Sequence, residues 1–209
     1  MKTNYWPLLI LLLMYFIINL FDQLYVFTDE FIYRSLRNEF SESALEALIT
    51  SHNRFGWISF ALLPFIILLK ILFTAFCVTT GAIFTDTDFS FGNIFQSATY
   101  SEFIFLFSQA VFSLNLFLNR DELTIDSAGN FFPLSVLSYF GVENVVIWLH
   151  YPLQTLNVFE VAYVLCLTWL LSRQWKPDFV DSINIVLPSY GIGLLTWMML
   201  VVFLTLQIS

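Results

Sequence analysis

Three ionisable side chains sit inside otherwise chargeless apolar stretches of this 209-residue chain: Lys70, Glu102 and Glu160. An ionisable group in hydrocarbon costs about 2.5–3.5 kcal/mol on insertion scales, so its presence points first to function. A Lys70–Glu160 pair across two helices would offset most of that cost and hold the helices in register. The transport reading makes Glu160 a proton or cation site with Lys70 as its counter-charge. Structural readings stand beside both. Lys70 could extend toward an interface along its own stem, Glu102 could sit at a helix start facing the positive end of the dipole, and Glu160 could face water or cap a neighbouring segment.

No catalytic or ligand set competes with these residues. His52 and His150 are the two histidines, and neither lies in metal-ligand spacing. The sequence holds no nucleophile-elbow pattern and no phosphate-binding glycine loop. Asp86 and Asp88 lack the glycine and closing glutamate of a calcium loop, and read as solvated turn acids. His150 with Glu143 could form an acid–base couple; the simpler account is an interfacial histidine beside Trp148 and Tyr151. Neither enzymatic activity nor a metal or cofactor is expected. Cys77 and Cys166, both within apolar runs, are too few for a disulfide framework or a thiolate site.

The elements that position these residues are membrane helices. Hydrophobic residues make up 58% of the chain and charged ones 11%, against about 25% charged in a soluble domain. With 25 Phe in addition, so much apolar surface would aggregate in water. The net charge of −8 argues against nucleic acid, whose phosphates need concentrated positive charge. Lipid and other membrane proteins, or further copies of the chain, are the expected partners.

Five stretches approach the roughly 20 residues a crossing helix needs: 5–21, 55–77, 101–119, 153–172 and 185–206. The first reads as an uncleaved span, because no small residues precede Asp22 as a signal-peptide cleavage site would require. Pro64 should bend the second, and the fifth should begin near Pro188. Residues 22–54 are polar but carry Ile32, Leu36 and Phe40 every fourth position, then Leu45, Leu48 and Ile49. They predict one or two amphipathic helices on the membrane surface or on the bundle. Ser43 with Glu46 forms a capping-box pattern at the start of the second. Residues 131–152 are too apolar for a free loop, yet Pro133, Gly141, Glu143 and Pro152 interrupt them; they predict an interfacial or re-entrant helix pair. Orientation is not biased, with Lys2, Arg173 and Lys176 on one side against Arg34, Arg37, Arg54 and Arg120 on the other. Gly191 and Gly193 permit a close helix approach or a local kink near the start of the last span.

From Phe55 onward, over about residues 55–206, the order of features resembles the Yip-type family, the Rab-interacting five-span membrane proteins and their bacterial relatives. FSFGNIFQSATYSEFIFLF (Phe89 to Phe107) is similar to that family's serine–phenylalanine lead-in to a span. LQTLNVFEVAYVLCLTWLLS (Leu153 to Ser172) resembles the span before its short basic loop, and DSINIVLPSYGIGLLTWMM (Asp181 to Met199) its closing helix. The Asp-Leu-Tyr-Gly-Pro type motif of eukaryotic members is absent, so the resemblance implies architecture and a bacterial cytoplasmic membrane rather than vesicle traffic.

The expected protein is therefore all-α: a single polytopic transmembrane helical bundle over 1–209, with about five spans, an amphipathic surface helix and an interfacial or re-entrant segment. Its expected role is that of a non-enzymatic membrane accessory or scaffold; the alternative is a small permease or channel component using Lys70 and Glu160.

Overall fold

A computed structural model of the chain describes residues 5–88, 90–129, 134–174 and 178–208. Lys2, Pro133 and Lys176, and residues 131–133 of the expected interfacial segment, lie outside them. All regular elements among the described residues are helical: α1 (Trp6–Phe21), which passes into a π-helical turn (Asp22–Val26), α2 (Asp29–Leu36), α3 (Glu42–Phe55), α4 (Trp57–Phe84), α5 (Phe91–Ser101), α6 (Phe103–Asn119), α7 (Ile125–Gly129), α8 (Val136–Phe140), a 3-10 turn (Val142–Asn144), α9 (Ile147–Thr155), α10 (Val158–Ser172) and α11 (Phe179–Ile208). Four helical stretches among the described residues are long and apolar enough to cross a membrane: Trp6–Val26, Trp57–Phe84, Phe91–Asn119 and Phe179–Gln207.

The boundaries move from the expected ones for local reasons. The third stretch begins ten residues earlier than 101, because the polar run after Ser90 is helical and joins α6 with a one-residue break at Glu102. The last begins at Phe179, where the Asp178 carboxylate accepts a bond from the Asp181 backbone N–H at 3.0 Å and so caps the helix. Pro188 is thus interior to the helix rather than at its start. The expected span 153–172 divides: Asn157 caps a new helix by accepting from the Glu160 N–H at 2.8 Å. That leaves α10 with 15 residues, about 22 Å of helix. Nor do Ser43 and Glu46 form the capping box. Helix α3 starts at Glu42 with Ser41 at the N-cap, and the Ser41 hydroxyl meets that of Ser43 at 3.3 Å.

The chain packs as two units, one of Met1–Leu11, Leu68–Phe105 and Phe132–Ser209, the other of Leu12–Ile67 and Leu106–Phe131. In the first, α4 buries Ile71, Thr74, Ala75, Val78 and Ala82, a stripe with helical spacing, while Leu69 (65% exposed) and Phe76 (60%) point outward. Helix α10 packs on α5 and α11 through Tyr163, Val164, Leu167, Thr168 and Leu171. The opposing face of α5 is small, with Ser97, Ala98 and Ser101 all buried, which lets the backbones approach closely. Residues 134–158 leave and return to one place: Val136 N–H donates to Leu156 O at 3.0 Å, and Val158 N–H to Leu134 O at 3.2 Å.

Helices α4 and α11 mesh antiparallel in steps of four residues. Phe73 meets Trp197 (ring centroids 6.3 Å apart), Gly193 lies against the Cys77 thiol, and a side chain at Gly81 would come within 2.6 Å of Ser189 Cβ. Of the two glycines in SYGIGLLTW, Gly193 makes the close approach; a Cβ at Gly191 would touch nothing within 4 Å. Gly193→Leu is accordingly expected to destabilise this packing by about 1–3 kcal/mol, the usual cost of overfilling a tight contact. Gly191→Leu should be near neutral, and detergent melting curves of the two variants check the difference.

In the second unit, Val26, Leu116 and Ala128 form a core ringed by Phe21, Phe27, Phe112, Phe117 and Leu123. The Asp22 carboxylate accepts from the Ser113 hydroxyl at 2.9 Å, and Arg120 donates to the Tyr25 carbonyl at 3.2 Å. Gln23 donates to both Gly56 O and Ser59 Oγ at 3.1 Å, tying the π-turn to the start of α4. The polar segment 22–54 supplies two helices, α2 and α3, which pack on each other. Phe31, Ile32 and Leu45 are their buried residues. The four-residue period breaks at its last member, since α2 ends at Leu36 and Phe40 is 45% exposed.

Candidate functional site

Four helical elements of the first unit converge on one cluster of polar and aromatic side chains. Helix α4 contributes Lys70 and, one turn on, Thr74. The α5–α6 junction contributes Glu102 and Phe105, α10 contributes Glu160 and Tyr163, and α11 contributes Tyr190. The Lys70 ammonium donates to Glu102 Oε1 at 2.9 Å and lies 3.3 Å from the centroid of the Phe105 ring. Glu102 is 1% exposed, whereas the Lys70 side chain keeps 40% exposure. A charge-assisted hydrogen bond and a cation–π contact thus act on one ammonium, whose carboxylate partner is buried.

Three rings continue from that contact. Phe105 and Tyr163 have centroids 4.9 Å apart at 40°, and Tyr163 and Tyr190 5.5 Å apart at 42°. Tyr163 is fully buried, and its hydroxyl donates to Thr74 Oγ1 at 3.1 Å, the partner a buried phenol requires. At the far end the Tyr190 hydroxyl donates to Glu160 Oε1 at 2.5 Å. Polar contacts also tie the helices away from this cluster: Gln174 donates to Ser97 Oγ at 2.9 Å and Trp197 Nε1 to Tyr151 OH at 2.7 Å.

The two carboxylates exchange their expected places. Lys70 pairs with Glu102, not with Glu160, because α5 and α6 run on from Ser90 and carry Glu102 into the middle of a long helical stretch facing α4. Glu160 is the acid at a helix start, third in α10 after the Asn157 cap. The Lys70 ammonium reaches Glu102 and the Phe105 ring while its side chain keeps 40% exposure. All three intramembrane candidates fall in one cluster, but as an ion pair and a separate carboxylate–phenol pair with aromatic rings between.

Phe105, Tyr163, Thr74 and Tyr190 were not singled out from sequence. The available signal was the tyrosines: Tyr163 and Tyr190 lie well inside apolar runs rather than at interfacial ends, and a phenol there needs a polar partner. Elsewhere His150 binds the Val145 carbonyl through Nε2 at 2.9 Å, and Glu143 lies 3.4 Å from the Asn144 amide. Each side chain thus engages its own turn of the chain.

Comparison with protein-family models, with curated proteins and with solved structures finds no match for this chain.

Proposed function

We propose that this protein is a non-enzymatic, multi-pass membrane accessory or scaffold that packs against other membrane proteins or further copies of itself. The reading rests on how the intramembrane charges are spent: Lys70 is consumed by Glu102 and Phe105, and Glu160 by Tyr190, each contact joining different helices. A cluster closed in this way clamps helices, and the outward faces are left to do the work. Those faces are apolar and broad; on α1, Trp6, Leu9, Leu13 and Ile17 are 70%, 56%, 59% and 54% exposed, surface that lipid or a partner helix would cover. In this reading α10 serves as a fifth membrane element carried by α5 and α11, residues 134–155 are re-entrant, and α2 with α3 lies at the membrane surface. The compartment, on the Yip-type resemblance, is a bacterial cytoplasmic membrane. Cross-linking in native membranes followed by mild-detergent purification should recover a stable complex. A monomer with no cross-linked neighbour would overturn the reading.

One observation favours a permease component instead: among the described residues Glu160 has no Lys or Arg within ion-pair distance, so this acid is not locked to a cation. Under that reading Glu160→Gln abolishes a pH-dependent flux in proteoliposomes while leaving the melting curve nearly unchanged. A flux unchanged by the substitution removes Glu160 from any transport step.

A further inference from the structure

The second unit holds a cleft of mixed polar and aromatic lining that the Lys70 cluster does not account for. A cavity of about 580 Å³ opens between the π-turn, with Asp22 and Gln23, the Phe27 that follows it, and α3, with Leu48, His52 and Phe55. A second, of about 300 Å³, adjoins it across Gln23, Phe27, His52 and Gly56, and reaches Asp29 and Trp57. Such volumes fall in the range of small-ligand sites, about 300–1,000 Å³ for a formed pocket. Irregular π-helical turns are often found where a helix has been shaped around a function, and this one carries Asp22 and Gln23 into the larger cavity.

Charge and wall chemistry narrow the ligand. Two carboxylates line the pair of cavities, Asp22 and Asp29, and none of their lining residues is Lys or Arg. Asp22 is held by Ser113 at 2.9 Å, while Asn53 donates to both oxygens of Asp29 at 3.2 Å. An anion finds no Lys or Arg here. A bare metal ion finds too few ligands, since no group of three His, Cys, Asp or Glu converges among the described residues. Carboxylates beside the aromatic walls Phe27, Phe55 and Trp57 suit an organic cation, which gains from both the ion pair and the ring faces. The level is also informative. Asp22 follows the last apolar residue of α1, Trp57 begins α4, and the exposed rings of Tyr25 (51%), Phe55 (51%) and Trp57 (65%) lie there, as in an interfacial aromatic belt where headgroups sit.

We propose that this cleft binds an organic ammonium group, of the kind carried by an aminophospholipid headgroup or by a free primary amine. Asp22 takes the ammonium through Oδ2, the oxygen that also accepts from Ser113, since Oδ1 is buried, and Phe27 and Phe55 flank it. The test uses the full chain in a non-ionic detergent, titrated calorimetrically with dihexanoylphosphatidylethanolamine, with ethanolamine and with dihexanoylphosphatidylglycerol. Saturable binding of an amine probe is expected, with no binding of the glycerol lipid. Asp22→Asn keeps an acceptor for Ser113 and should weaken binding about tenfold or more, the scale of one lost charge-assisted contact. Leu48→Trp fills the cleft without touching Asp22 and should weaken it similarly, so the idea remains testable even if the first variant folds poorly. Binding of phosphatidylethanolamine alone identifies a lipid site, and equal binding of ethanolamine a site for the free amine. Equal binding of the glycerol lipid, no binding of either amine, or wild-type affinity in Leu48→Trp overturns the proposal.

Discussion

Lys70→Met is expected to lower stability by about 2–3 kcal/mol, below the roughly 3–5 kcal/mol of a fully buried pair because only the carboxylate is buried. The effect should be asymmetric. Glu102 is 1% exposed and the Lys70 side chain 40%, so removing the lysine strands a carboxylate in a dry place. Removing the carboxylate leaves an ammonium on a flexible stem that can turn outward. Glu102→Gln should therefore cost less, about 1–2 kcal/mol, near the value of a lost hydrogen bond to a charged group. The double variant Lys70→Met, Glu102→Leu should recover most of the loss, because apolar replacement of a whole buried pair is often neutral or stabilising. Unfolding of the four proteins in mixed micelles, followed by circular dichroism, measures all of these. A double variant that loses as much as Lys70→Met or more would mean the pair is not coupled and the clamp does not exist.

Tyr163→Ala should be at least as damaging, about 3–5 kcal/mol for deleting a large buried ring. The ring is fully buried between Phe105 and Tyr190 and lies 6.0 Å from the Lys70 ammonium. Its loss would open a void among residues drawn from α4, the α5–α6 junction, α10 and α11. Tyr163→Phe separates the two roles of the side chain. It keeps the ring and removes only the hydroxyl given to Thr74 at 3.1 Å, an expected loss of about 1–2 kcal/mol since Thr74 is itself buried. The same micelle unfolding series reads both variants. A Phe variant as damaging as the Ala variant would show that the hydroxyl, and not the ring column, holds these helices.

These expectations turn on contacts that had no signature along the chain. Lys70, Glu102 and Glu160 are conspicuous because charge is rare in apolar runs, yet nothing in their spacing says which acid meets the base. Positions 102 and 160 lie 32 and 90 residues from Lys70, and the choice depends on where two helices begin. Both beginnings had local cues that hydropathy outweighs. Asn157 and Glu160 have capping-box spacing, and Asp178 stands three residues before Asp181, but each cue lies beside or within a run whose apolar character reads as one span. In the same way the run after Ser90 is too polar to look like membrane helix, although it presents small residues to α10.

What the amino-acid order determines by itself is the class of object. An apolar content of 58% with 11% charge leaves helices as the economical way to satisfy backbone groups out of water, and the all-helical fold with four long apolar stretches follows from that. Helical amphipathy after the first span is legible for the same reason, since it depends on residues within one or two turns. The choice of Gly193 over Gly191 for the close approach rests instead on Cys77 in another helix. The partner of Lys70, the ring column through Tyr163, and the cleft beside Asp22 belong to the tertiary structure alone. Each brings together side chains from separate helices, and the energy that selects among such pairings is that of packing and desolvation at contacts distant in sequence, which local pattern cannot encode.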